Sequence, residues 1–206
     1  MLSAGEIDAL ARDVRARDGQ LIVDEIYHGL TYEGDAPTAL AAGDDIFVIQ
    51  SFSKYFQMTG WRLGWMVVPE RYARDIEKLA QNLFISPSTP AQYGALAAFA
   101  PETIGILEQR REEFRRRRDF LAPALADIGF KLTAQPQGAF YIYADCSALT
   151  DDSDRFARNL LEAEGVAVTP GLDFGAHSPK RHLRFAYTTD IARLTEAVAR
   201  IRRFIG

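Results

Sequence analysis

The sequence is short of several things that would have pointed elsewhere. It has one cysteine, Cys146, among 206 residues. That excludes an intrachain disulfide framework and fits a reducing compartment. No apolar run approaches the roughly 20 residues a membrane-spanning helix needs. The opening residues Met1 to Asp8 lack the basic and apolar regions of a secretory signal, so the cytoplasm is the expected location. The three histidines, His28, His177 and His182, show no ligand spacing, and no metal is assigned. A net charge of −4 gives no electrostatic reason to expect nucleic acid or a membrane surface as partner. Lysine is scarce as well, with only Lys54, Lys78, Lys131 and Lys180.

What is present reads as an ordinary globular chain, 48% apolar and 25% charged, long enough for one large domain or two small ones. Ser3 and Glu6 form a capping box for a helix over about 4–17, with Ile7, Leu10, Ala11 and Val14 on one face. Leu21–Asp24 follows as a short buried strand, and 29–44 as a loop with a short helical turn. Strands are expected over 45–50 and 63–68, then helices over 70–83 and 90–99 and a long helix from Pro101 to about Ile128. The arginine run Arg110–Arg118 on that helix is interspersed with glutamates. It is read as a solvated face, with Phe114, Leu121 and Leu125 turned inward. Beyond Phe130 the pattern changes to strands at 138–144, 166–169 and 182–187, with helices at about 153–163 and 190–204. The expected division is 1–103 and 104–206, the second part being a smaller α+β domain. Cys146 is read as a small packed residue.

The chain is organised around Ser51-Phe52-Ser53-Lys54-Tyr55-Phe56 and Gly60-Trp61-Arg62-Leu63-Gly64-Trp65, at the end of an apolar strand. Among so many aromatics the Lys54 amine loses hydration, which favours its neutral, nucleophilic form. That is the condition for forming a Schiff base with a carbonyl. Ser51 and Ser53 offer hydroxyl donors, and Arg62 a fork for phosphate oxygens. A reactive amine beside phosphate donors suits an aldehyde that carries a phosphate, and pyridoxal 5'-phosphate is the candidate. Asp24 and Tyr27 follow the first strand at the edge where open parallel sheets bind ligands.

With Val23-Asp24-Glu25-Ile26-Tyr27 before them, these segments resemble the class I/II aminotransferases, pyridoxal-phosphate enzymes of fold type I. Pro136-Gln137-Gly138-Ala139-Phe140-Tyr141, Thr169-Pro170-Gly171 with Phe174-Gly175, and Leu183-Arg184-Phe185 resemble the same family's small-domain segments. The resemblance implies an α/β fold. Residues 1–103 would be the carboxyl-terminal part of a mostly parallel, doubly wound cofactor-binding domain, and 104–206 the small domain.

It also implies roles. Lys54 would hold the cofactor aldehyde and move a proton at the substrate Cα. Asp24 would pair with the pyridine nitrogen, and Tyr27 would donate to the ring's phenolic oxygen. Ser51, Ser53 and Arg62 would hold the phosphate, and Arg184 the substrate carboxylate. An amino acid and a 2-oxo acid are the implied substrates.

In that family a glycine-containing phosphate loop, a ring-stacking aromatic and an asparagine precede the matched region. The chain therefore reads as the carboxyl-terminal half to two-thirds of such an enzyme, with an unpaired sheet edge and exposed apolar surface. Homodimerisation, or association with the amino-terminal part, is the expected partnership. A lyase on the same fold and a non-catalytic fragment are the alternatives.

Overall fold

The computed structural model describes residues 1–206. They form two compact units, residues 1–111 and 112–206. Helix α4 (Pro101–Ile128) runs through the division between them.

In the first unit, helix α1 (Ala4–Ala16) opens on the anticipated capping box. The Ser3 hydroxyl accepts the Glu6 N–H at 3.3 Å, while the Glu6 carboxylate accepts the Ser3 N–H at 2.7 Å. Such a cap is worth about 1 kcal/mol. The buried stripe of the helix is narrower than its periodicity suggests: Ile7 and Ala11 are buried, but Leu10 is exposed.

Strands β1 (Ile22–Asp24), β2 (Phe47–Ser51) and β3 (Gly64–Val67) form one sheet in that order. β1 runs parallel to β2, with Asp24 opposite Ile49, and β3 runs antiparallel to β2, with Gly64 opposite Ser51. One of the two pairings is therefore parallel. Ile7, Ala11, Ala39, Ile46 and Val48 make one core cluster, and Phe52, Met58, Ala95 and Ala98 another. β1 is not the buried strand that its apolar run suggests, because it is three residues long and only Val23 is partly covered.

The same openness continues through β3, exposed at every residue, and through α2 (Glu70–Leu83), which buries nothing. α3 (Thr89–Ala98) buries three alanines, Ala91, Ala95 and Ala98. Its large side chains face out, Tyr93 at 72% and Leu96 at 70% exposure, as does Ile85 at 82%.

The second unit holds β4 (Lys131–Leu132), β5 (Tyr141–Asp145), β6 (Thr169–Pro170) and β7 (His182–Ala186). They form an antiparallel sheet in the order β4-β5-β7-β6. Period-two alternation sorts its faces. Ile142 and Ala144 of β5 and Leu183 and Phe185 of β7 are buried, while Tyr141, Tyr143, His182 and Arg184 point to the other side and are only partly covered. The buried set joins Leu125, Phe130, Leu160 of helix α5 (Ser153–Glu164), and Val198 and Ile201 of helix α6 (Ile191–Ile205) in burial below a tenth. The Phe130 and Phe185 rings meet at 4.9 Å, edge on.

The arginine run of α4 is laced with carboxylates: Arg115 pairs with Glu112 at 2.8 Å and Arg117 with Glu113 at 3.1 Å. Arg118 departs from the solvated face. It is buried and donates to the Pro136 carbonyl at 2.6 Å. No helix is long and apolar enough to cross a membrane.

Candidate active site

Three strand ends of the first unit meet at one edge. Because β1 and β2 are parallel, their carboxyl ends point the same way, and β3 starts back from that edge opposite Ser51. Asp24 ends β1, Ser51 ends β2, and Arg62 stands two residues before β3. The edge thus receives Asp24, Tyr27, Ser51, Ser53, Lys54 and Arg62, from three stretches spread over 39 positions of the 206-residue sequence.

Local hydrogen bonds shape each stretch. Asp24 Oδ1 accepts the Ile26 N–H at 3.0 Å, tightening the turn that carries Tyr27. The Glu25 N–H donates to the Ile49 carbonyl at 2.9 Å and so extends the β1–β2 ladder into that turn. Lys54 Nζ stands 5.8 Å from the centroid of the Tyr27 ring, so the amine and the phenol come from different turns and share one place.

The Ser51 and Ser53 hydroxyls are 2.9 Å apart, and Ser51 Oγ accepts the Ser53 N–H at 3.0 Å. The Thr59 hydroxyl donates to the Ser53 carbonyl at 2.6 Å, and Arg62 Nη1 donates to the Thr59 carbonyl at 2.9 Å. Arg62 is exposed and has φ +53°, a left-handed conformation that costs a non-glycine residue on the order of 1 kcal/mol. Gly64 permits the close crossing of β2 and β3, since a Cβ there would lie 2.6 Å from the Gln50 carbonyl oxygen.

The aromatics around Lys54 pack mainly on one another. Phe52 meets Phe56 at 4.9 Å, Trp65 at 5.0 Å and Phe99 at 5.7 Å. Phe52 is buried, whereas Trp61 and Trp65 are exposed.

Two further groups make distant contacts that nothing local in the sequence announces. Glu25 is buried, and its carboxylate accepts the Ala39 N–H at 2.7 Å and the Thr38 hydroxyl at 3.1 Å, with His28 Nδ1 at 3.2 Å. It ties the 29–44 loop to the end of β1. Tyr55 Oη donates to Glu108 Oε1 at 2.6 Å. The phenol is pushed up to about 12, first by burial and then by this hydrogen bond.

Arg184 lies in the second unit, on β7, opposite Tyr143 and Thr169. Its guanidinium carbon is 4.5 Å from the Phe174 centroid and 5.3 Å from that of Tyr141. It lines an open cavity of about 490 Å³ with Tyr141, Tyr143, Phe174 and His182. The Tyr143 and His182 rings stack at 4.9 Å, and burial raises the Tyr143 phenol pKa. The cavity sets the Arg184 guanidinium beside aromatic walls, where its fork of donors can meet a carboxylate in bidentate fashion.

The family of class I and II aminotransferases matches residues 1–201. A valine–pyruvate aminotransferase of Mycobacterium tuberculosis is 38% identical over 198 residues, which is 95% of this chain and 51% of that protein. An aspartate/prephenate aminotransferase of Thermus thermophilus is 37% identical over 204 residues, 97% of this chain and 51% of that one. The crystal structure of an aminotransferase from Mycobacterium tuberculosis superposes with a TM-score of 0.96 at 36% identity, over all of this chain and 54% of that one. A structure from Silicibacter pomeroyi, described as a putative aminotransferase, gives 0.93 at 45% identity, over 100% and 55%. The chain spans about half the length of the curated relatives it matches. The open edge bearing Lys54 and the sheet bearing Arg184 are thus parts of a known architecture, and the chain belongs to the class I and II aminotransferases.

Proposed function

We propose that this chain carries the Lys54-bearing part of a pyridoxal-phosphate-dependent aminotransferase that moves an amino group between an amino acid and a 2-oxo acid. The observation that carries the reading is the convergence, at one sheet edge, of the Lys54 amine, the Tyr27 phenol, the Asp24 carboxylate and the Ser51, Ser53 and Arg62 donors. This donor set fits the cofactor, with one group for each of its polar handles. When bound, pyridoxal phosphate supplies a protonated ring that draws electron density from the substrate Cα.

Lys54 Nζ holds the cofactor aldehyde and, once released, moves the proton at the substrate Cα. Asp24 keeps a carboxylate oxygen for the ring nitrogen while its Oδ1 serves the turn. Tyr27 orients the ring by donating to its phenolic oxygen, and Ser51, Ser53 and Arg62 hold the phosphate. Arg184 grips the substrate α-carboxylate with two parallel bonds, which selects amino and 2-oxo acids as substrates.

Residues 1–103 belong to the large cofactor domain in this reading and 104–206 to the small one. The outward Leu83, Ile85, Tyr93 and Leu96 support association as the working state, with the remaining half of the aminotransferase fold as the partner of that face. A cytoplasmic location is supported by the lone, buried Cys146.

Mixing the purified chain with pyridoxal phosphate should give the absorbance of lysine-bound cofactor, and Lys54→Ala should remove it. A free-cofactor spectrum in both overturns cofactor binding by this chain. Pyruvate and ammonia released from a single substrate would replace transfer with elimination.

A further inference from the structure

We infer that Tyr55 and Glu108 are positioning residues that hold the Lys54 turn against the Tyr27 turn. The inference rests on the reading of Lys54 as the reactive amine. It starts from Gly29, two residues after Tyr27, with φ +87°. A Cβ at Gly29 would come within 2.7 Å of the Tyr55 ring, so the backbone of the Tyr27 turn lies directly on that ring. Tyr55 is the residue after Lys54, so its ring joins the two turns that bring amine and phenol together.

The far end of Tyr55 is anchored too. Its hydroxyl donates to Glu108 Oε1 at 2.6 Å, and Glu108 Oε2 is 2.7 Å from Arg111 Nη2. Arg111 Nη1 in turn donates to the carbonyl of buried Thr31 at 3.4 Å, which returns the chain of contacts to the segment following Gly29. A second tie runs beside it. The Gln57 N–H closes the turn on the Lys54 carbonyl at 3.0 Å, and the Gln57 side chain accepts from Arg110 Nη1 at 2.8 Å. The first turns of α4 therefore clamp both active-site turns from residues 53 and 80 positions away in sequence. The elevated Tyr55 phenol stays a proton donor to Glu108 throughout the working pH range.

The four lysines make a direct test feasible. Reductive ¹³C-methylation of the whole chain yields one dimethylamine signal for each lysine, assigned by single Lys→Arg changes, without cofactor. The Tyr27 ring should shift the Lys54 signal away from those of Lys78, Lys131 and Lys180. Tyr55→Phe and Glu108→Ala should each move it towards those three, which stay in place. Glu108→Gln keeps an acceptor oxygen and should leave it near its wild-type position.

The second readout is the rate at which pyridoxal phosphate and borohydride label each lysine, mapped by peptide mass. Labelling of Lys54 should fall roughly three- to tenfold in Tyr55→Phe and Glu108→Ala, the effect of one lost hydrogen bond, with the other lysines unchanged. A lower melting temperature with an unmoved Lys54 signal overturns the inference and leaves the pair a stabilising contact only. Equal shifts at all four lysines overturn it as well. If wild-type Lys54 is labelled no faster than Lys78, the proposed cofactor chemistry fails, while the cofactor-free spectra still decide the positioning role.

Discussion

The two units solve the burial problem differently. The second buries an alternating sheet face: Ile142, Ala144, Leu183 and Phe185 lie at 4% exposure or less. The first has a three-stranded sheet whose third strand is exposed at every residue, and two helices, α2 and α3, that turn Leu79, Leu83, Tyr93 and Leu96 outward. The Lys54 edge sits in the open unit, and the Arg184 cavity in the well-packed one. The groups proposed to handle the cofactor therefore lie where cover is thinnest, between two small core clusters and beside the ring contacts of Phe52.

This comparison can be broken with two probes that the sequence provides. Both tryptophans, Trp61 and Trp65, lie in the first unit, and the lone cysteine in the second. The largest effect is expected from Leu183→Ala, which empties a fully buried site and should cost about 2–5 kcal/mol in urea unfolding followed by Cys146 labelling. Met66→Ala, on the exposed β3, should cost less than about 1 kcal/mol by tryptophan fluorescence. Equal costs would erase the distinction.

A smaller effect should appear at high pH. Burial pushes the Cys146 thiol up to about 11 from an ordinary value of 9.0. Below pH 9 both folded and unfolded thiols hold their proton. Between 9 and 11 the unfolded thiol loses its proton while the folded one keeps it, so stability falls as pH rises through that window. Cys146→Ala should flatten that part of the slope. If it leaves the slope unchanged, the thiol is not its source.

A local change sharpens the picture of the open unit. Ser3→Ala removes the cap of α1 at about 1 kcal/mol, and amide exchange at Ile7 and Ala11 should quicken about fivefold. Exchange in α5 and α6 should not respond.

The parts of this molecule legible in the sequence are those written in short range. The capping box, the helices at 70–83 and 101–128, and the turns around Asp24 and Lys54 depend on residues a few positions apart. Glu25 stood inside a recognised motif, yet its partners Thr38 and Ala39 come from a loop with no period of its own. Glu108 lies 53 residues from Tyr55, in a helix whose charges read as solvent-facing.

Strand limits failed for a related reason. Val166 to Thr169 has a strand-like composition, but pairing with β7 covers only Thr169 and Pro170. β4 is two residues long and carries no pattern at all. A strand exists where a neighbour offers free backbone, and that neighbour is not local. In β1 the apolar letters were read as burial, but Ile22 is mostly exposed, because hydrophobicity records what a side chain prefers rather than what covers it.

Gly60 and Gly64 bracket Arg62 and look alike in the sequence, but they differ in mutational tolerance. Gly60 has open space where a side chain would go, whereas any side chain at 64 would strike the Gln50 carbonyl. Sequence drift around the arginine is therefore one-sided. The approach to it can vary, while the step into β3, where Gly64 faces Ser51, admits a single amino acid.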